Sequence, residues 1–209
     1  MSKTYIIAEV GPNHNGSLDL ALEYIDELSL IGVDAVKFQL TNSNHLFSEN
    51  AIFANYQKYN NKFKTPKLMA DSHQLSHHEH KILYNKCLNK NIDYLCTAFD
   101  LESLKFLNEN FDLKYFKIAS GEIFSLDSLD YIRQNDKPIL LSTGMATIEE
   151  IGNTIDYLNQ NGGIDLTIMH CISSYPADLN TVNMNIMLTI KNRLGYPVGF
   201  SDHTIGTIS

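Results

Sequence analysis

Apolar residues recur along this chain in two alternating rhythms, one of period two over short runs and one of helical spacing over longer ones. Residues 4–10 read as a strand, and Leu18, Ala21, Leu22, Ile25 and Leu28 then fall at helical spacing up to Gly32. A second strand follows at 35–39. Ser76-His77-His78-Glu79 has the form of a capping box, which starts a helix that runs to about Lys90. The third strand is 93–97, after which Asp100 caps a helix carrying Leu101, Leu104 and Leu107. The fourth is 115–119, followed by a helix at 126–133, and the fifth is 138–142. Thr147-Ile148-Glu149-Glu150 is a second capping box, and its helix sets Ile148, Ile151, Ile155 and Leu158 on one stripe before Gly162-Gly163. A sixth strand at 166–171, a helix marked by Met187, Ile190 and Leu194, and a seventh strand at 198–201 complete the series. Strands alternating with helices of crossover length predict βαβ units and a parallel sheet.

The fourth strand carries a lysine that selects among such folds. Period-two alternation puts Phe116 and Ile118 on one face and Tyr115, Lys117 and Ala119 on the other. An open doubly wound sheet has helices over both faces and no place for Lys117, whereas the inward face of a closed barrel ends in a polar mouth. The second strand repeats the pattern, with Val36 and Phe38 opposed to Lys37 and Gln39. One such lysine reads as an ion pair at a strand end. Two on inward faces predict an anion site in a (β/α)₈ barrel.

Polar residues gather where the strands end, which is where such a barrel builds its active site. In chain order they are Glu9 with Asn13-His14-Asn15-Gly16, Lys37 with Gln39, Thr97 with Asp100, and Lys117 with Ser120 and Glu122. Ser142-Thr143-Gly144-Met145, His170 with Ser173-Ser174-Tyr175-Pro176, and Ser201-Asp202-His203-Thr204 continue the series. Ser142, Thr143, Ser201 and Gly144 offer donors with little bulk to phosphate or carboxylate oxygens, although Ser-Thr-Gly also suits a plain turn. His203 shares a face with Gly199 and Ser201 and should point into the mouth, while His170, at the end of an apolar strand, reads as structural. Between the second strand and its helix lies an excursion, 41–74, rich in Asn and aromatics (Phe47, Phe53, Tyr56, Tyr59, Phe63), with Pro66 near its end. A connection of that length is usually functional or has minor structure of its own.

Composition narrows the function. The chain has 209 residues, 44% of them hydrophobic and 19% charged, as in an ordinary soluble globular protein. It has no signal-like or membrane-spanning run, so it reads as cytoplasmic and clear of membranes. A formal net charge of −8 argues against nucleic acid and leaves any anionic ligand to local lysines and backbone N–H groups. Cys87, Cys96 and Cys171 lack CxxC spacing and read as core thiols. His73, His77, His78 and His80 cluster near a helix start and read as a solvated helix end.

The strings EVGPNHNG, AVKFQ, TAFD, FKIASGE, LLSTGMAT, HCISSYP and GFSDHT span nearly the whole chain, and together they resemble the N-acylneuraminate (sialic acid) synthase family, legionaminic and pseudaminic acid synthases included. The resemblance implies a (β/α)₈ barrel, covering residues 1–209, that condenses phosphoenolpyruvate with an open-chain N-acetylated hexose, releases phosphate and uses Mn²⁺ or Mg²⁺. By the same resemblance Lys37, Thr97, Lys117, Ser142 and Ser201 match phosphoenolpyruvate-binding positions. Ser173 falls at a further one, where sialic acid synthases proper often carry asparagine. Glu122 matches the catalytic carboxylate, His203 one of two metal-binding histidines, and Gln39 and Asp100 lie in motifs near the sugar side. A homodimer is implied for the intact protein.

The family's eighth-strand Lys-His motif and its small C-terminal antifreeze-like domain have no counterpart here. The chain therefore reads as a barrel truncated after about seven strands, and a protein ending at Ser209 is expected to be poorly soluble or oligomeric and inactive. Two other readings stay open: a class I aldolase that forms a Schiff base on Lys117, and a binding fragment with no turnover.

Overall fold

The computed structural model describes residues 3–48, 50–58 and 62–206. Tyr59 of the excursion and the last residue, Ser209, lie outside them. The chain divides into two compact units, residues 1–114 and 115–209.

In the first unit, strands β1 (Ile7–Glu9), β2 (Ala35–Leu40) and β3 (Asp93–Ala98) pair in parallel and in sequential order, with Glu9 beside Lys37 and Gln39 beside Thr97. Helix α1 (Leu18–Leu30) is capped by Ser17, whose hydroxyl accepts from the Leu20 N–H at 3.2 Å. β1 is shorter than the sequence predicts because the Asp34 and Ala35 N–H groups both donate to the Ile6 carbonyl, and those of Val10 and Gly11 both to the Lys37 carbonyl. The excursion has structure of its own: α2 (Ser43–Leu46), a 3₁₀ turn at Asn55–Lys58 and α3 (Pro66–His73). Pro66 opens α3 at its first turn, where its missing N–H costs nothing. The Ser76–Glu79 capping box forms and starts α4 (His77–Asn89), and α5 (Leu101–Asn110) follows β3. Ala21, Ile25, Phe38, Leu83 and Leu107 make the centre of the core.

In the second unit, β4 (Phe116–Ile118), β5 (Ile139–Ser142), β6 (Leu166–Cys171) and β7 (Val198–Ser201) are likewise parallel and sequential. The intervening helices are α6 (Leu126–Arg133), α7 (Ile148–Leu158) and α8 (Asn185–Leu194). The Thr147–Glu150 box caps α7, and Ile151, Ile155 and Leu158 of its apolar stripe are buried, with Thr154 between them. Phe116 and Ile118 are buried on either side of the half-buried Lys117, as alternation requires.

One sequence expectation is overturned. His80 is not part of a solvated helix end: it lies on the stripe of α4 with Leu83 and Cys87, and only 1% of it is exposed. Its Nδ1 is 2.6 Å from the Tyr94 hydroxyl, and burial first, with His14 and His77 nearby, depresses its pKa to about 4. His73 is half-buried, while His77 and His78 are exposed as expected. All three cysteines are free and buried, and burial pushes the thiols of Cys87 and Cys96 up to about 12.

Candidate active site

Each unit brings polar side chains to the carboxyl ends of its strands. In the first, Lys37 and Gln39 leave β2 on the face opposite Phe38 and are the half-buried positions among buried neighbours. The Lys37 side chain is 13% exposed; its ammonium forms an ion pair with Glu9 and donates to Thr97 Oγ1 at 3.3 Å. Gln39 Nε2 donates to Glu9 Oε1 at 2.9 Å. Four residues from three adjacent strands therefore share one patch. Gly11 belongs to it by absence, since a Cβ there would lie 3.0 Å from Glu9 Oε1 and 3.2 Å from Gln39 Nε2.

Asp100 is engaged in architecture. Its carboxylate accepts from the Ser103 N–H and hydroxyl, both at 2.8 Å, and from the Asn42 N–H at 2.6 Å. Burial works to raise its pKa, but these hydrogen bonds outweigh it and the pKa is lowered. Asp100 thus caps α5 and anchors the start of the excursion to it. His14, 3% exposed, accepts from the Gly16 N–H through Nδ1 at 3.1 Å, and burial lowers its pKa. The excursion also forms an open cleft of about 350 Å³ between Asn44, Phe47, Thr65, Pro66 and Lys67.

In the second unit Lys117 Nζ donates to Ser142 Oγ at 2.7 Å and to the Ile118 carbonyl at 2.8 Å. The 3₁₀ turn Ser120–Glu122 follows directly, leaving Glu122 half-buried. Ser120 Oγ accepts from the Gly144 N–H at 2.9 Å and lies 3.2 Å from Cys171 Sγ. A Cβ on Gly144 would fall 2.2 Å from Ser173 Oγ, so Gly144, Ser173, Ser120 and Cys171 form one small polar cradle. Thr143 is spent on the turn, its N–H and hydroxyl both donating to the Met169 carbonyl at 3.1 Å. His170 is buried against the Phe200 ring, and burial lowers its pKa, in keeping with a structural part.

His203 tests the metal expectation. Its Nδ1 is 2.6 Å from the Ile172 carbonyl, which can only accept, so Nδ1 carries a proton and, in the neutral ring, Nε2 is the nitrogen with the lone pair, 3.4 Å from Ser201 Oγ. Metal-ligating histidines are held in this way, and the arrangement fits one coordination position of Mn²⁺ or Mg²⁺. The Tyr175 ring packs on the imidazole with centroids 4.4 Å apart. Among the described residues, His45, Asp100 and Glu102 are the one trio with ligand atoms within 4.8 Å of one another, but the Asp100 carboxylate in it is already taken up by capping.

Seven of the sequence-predicted residues thus fall into three sets: Lys37, Gln39 and Thr97, joined through Glu9 and Lys37; Lys117 with Ser142; and Ser201 with His203 as a loose pair. Ser173 lies in the Gly144 cradle. Sequence reading gave Glu9 and Ser120 no role beyond their place at strand ends; that place was the available signal.

The NeuB family model matches residues 24–209. An N,N'-diacetyllegionaminic acid synthase of Campylobacter jejuni subsp. jejuni serotype O:2 is 42% identical over 209 residues, covering 99% of this chain and 62% of that protein. A protein of the same description from Legionella pneumophila subsp. pneumophila is 36% identical, covering 98% and 58%. The crystal structure of an N-acetylneuraminic acid (sialic acid) synthetase from Leptospira borgpetersenii serovar Hardjo-bovis in complex with citrate superposes with a TM-score of 0.85 at 30% identity, covering 98% of this chain and 67% of that one. The fold class is accordingly the (β/α)₈ barrel, with seven of its strands among the described residues. The chain spans about three fifths of the length of the curated relatives it matches.

Proposed function

Because the chain belongs to the NeuB family, we propose that it carries the phosphoenolpyruvate-condensing centre of a nonulosonic acid synthase, a transferase that joins phosphoenolpyruvate to an open-chain N-acetylated hexose and releases phosphate. The observation that carries this reading is a strand-borne lysine in each unit that is hydrogen-bonded to a hydroxyl on the neighbouring strand: Lys117 to Ser142, and Lys37 to Thr97. A hydroxyl beside an ammonium adds a hydrogen-bond donor to its charge, and phosphoenolpyruvate presents both a carboxylate and a phosphate to such pairs.

In this reading Lys117, Ser142, Ser173 and Ser201 hold and orient phosphoenolpyruvate, and Lys37 with Thr97 adds charge and a hydroxyl. C3 of the enol attacks the sugar aldehyde and forms the new C–C bond. Water takes the cationic C2, and the tetrahedral species expels phosphate to leave the 2-keto acid. Glu122, half-buried in the turn after Lys117, manages the protons of aldehyde oxygen and water. Mn²⁺ or Mg²⁺, held in part by Nε2 of His203, would supply Lewis acidity to the aldehyde. Gln39 serves the sugar, and the excursion at 41–74 shapes the choice among N-acetylmannosamine and the diacetamido-trideoxyhexoses. Cytoplasmic work on metabolites and a homodimeric intact protein accord with the reading, and no helix among the described residues is long and apolar enough to cross a membrane.

The test is phosphate release by the intact gene product from phosphoenolpyruvate with each sugar in turn. Release should require a sugar and a divalent metal. A borohydride-trapped adduct on Lys117, with turnover that survives a chelator, would establish the aldolase instead.

A further inference from the structure

A carboxylate beside a substrate-binding lysine is out of place in a chain already carrying a net charge of −8. Glu9 lowers the positive potential that Lys37 would offer an anion, and it does so from a side chain that is 42% exposed. Its second contact supplies a reason. An ionised carboxylate can only accept hydrogen bonds, so the Gln39 amide must turn its NH₂ toward Glu9 Oε1, 2.9 Å away. The amide carbonyl oxygen is thereby aimed elsewhere, and among the described residues it accepts no hydrogen bond. Gly11 leaves the room in which the carboxylate and the amide meet, since a Cβ would stand 3.0 and 3.2 Å from them.

We infer that Glu9 is a positioning residue that fixes the Gln39 amide with its carbonyl oxygen toward the sugar, so that this strand end reads a hydrogen-bond donor, a hydroxyl or an amide N–H, on the N-acetylated substrate. This rests on the synthase reading above and adds to it which atom of Gln39 does the recognising and what holds it there. Lys37 is the tether: its ion pair holds the carboxylate in register between β1 and β2. A substrate position bearing only an acceptor, such as an ether oxygen, meets the carbonyl lone pairs and is rejected.

The experiment is steady-state kinetics of the intact enzyme with both substrates for wild type, Glu9→Gln, Gln39→Ala and the double variant. A glutamine at position 9 can donate as well as accept, so the Gln39 amide is free to turn over. Glu9→Gln should raise the KM for the sugar roughly tenfold, the worth of about one oriented hydrogen bond, and leave the KM for phosphoenolpyruvate unchanged or lower. In the Gln39→Ala background the same change should have no further effect on the sugar KM. Glu9→Asp keeps the charge by Lys37 but draws the carboxylate back by one methylene, and should raise the sugar KM alone; it decides the matter if Glu9→Gln does not fold. Additive effects of the two substitutions, or equal changes in both KM values, would overturn the positioning role while leaving the synthase reading standing. A wild-type enzyme with no sugar-dependent phosphate release would overturn both.

Discussion

Lys117 sits where alternation alone places it, half-buried between Phe116 and Ile118, and it reaches Ser142 across the β4–β5 pair. Replacing it with methionine keeps the stem packed and removes the charge that the proposed phosphoenolpyruvate site needs. Lys117→Met should weaken phosphoenolpyruvate binding by roughly 3–5 kcal/mol in a calorimetric titration, the usual consequence of stranding a partner in a buried charged pair; affinity within a few-fold of wild type would remove Lys117 from the site. Glu122→Gln should behave in the opposite way, binding phosphoenolpyruvate normally and losing turnover, because shape is kept and the exchangeable proton is not. Gly144 is the third decisive residue at this scale. Any side chain there meets Ser173 Oγ at 2.2 Å, so Gly144→Ala should displace Ser173 and raise the KM for phosphoenolpyruvate with little change in melting temperature.

At the scale of elements, the sequence was most legible where one local signal decides a boundary. Both capping boxes formed at the positions that S-x-x-E and T-x-x-E mark, and every strand after the first starts within two residues of its predicted place. The excursion was opaque because short helices of four and eight residues leave too few periods to recognise, and Pro66 signals an end and a beginning alike. His80 was misread for a different reason: the run of four histidines drew attention to type, whereas the spacing of His80, Leu83 and Cys87 already marked a buried stripe. The site was legible as a set of strand ends. Which atoms meet was not, since Glu9 bonding both Lys37 and Gln39 depends on the register of β1 against β2.

Burial of His80 has a measurable consequence for α4. Its folded pKa, about 4, lies below the ordinary 6.5, so the unfolded chain takes up a proton that the folded chain refuses. The stability this represents is fully present above pH 6.5 and is lost as pH falls from there to about 4, amounting to about 3 kcal/mol in all. Urea unfolding at pH 7.5 and pH 5 should show the loss, and His80→Gln, which keeps an acceptor for the Tyr94 hydroxyl, should flatten that part of the profile. An unchanged pH dependence in the variant would show that other groups carry it. Gly16, at φ +77° with a would-be Cβ 2.4 Å from the Ser72 carbonyl, holds the loop after β1 against α3. Gly16→Ala should cost roughly 1–3 kcal/mol in the same assay.

For the molecule as a whole, the proposed function sets a strongly anionic substrate against a net charge of −8, and local lysine–hydroxyl pairs would reconcile the two without a basic surface. The proposed chemistry is attack by water on C2 with departure of the whole phosphate group, so the bond that should break is the one between C2 and the bridging oxygen. Phosphoenolpyruvate labelled with ¹⁸O at that bridging position, turned over by the intact enzyme with its sugar, reports on this directly by mass spectrometry. The label should appear in the released inorganic phosphate, with one phosphate formed per sugar consumed. Label retained in the 2-keto acid, with unlabelled phosphate, would mean cleavage at phosphorus and would contradict the proposed condensation.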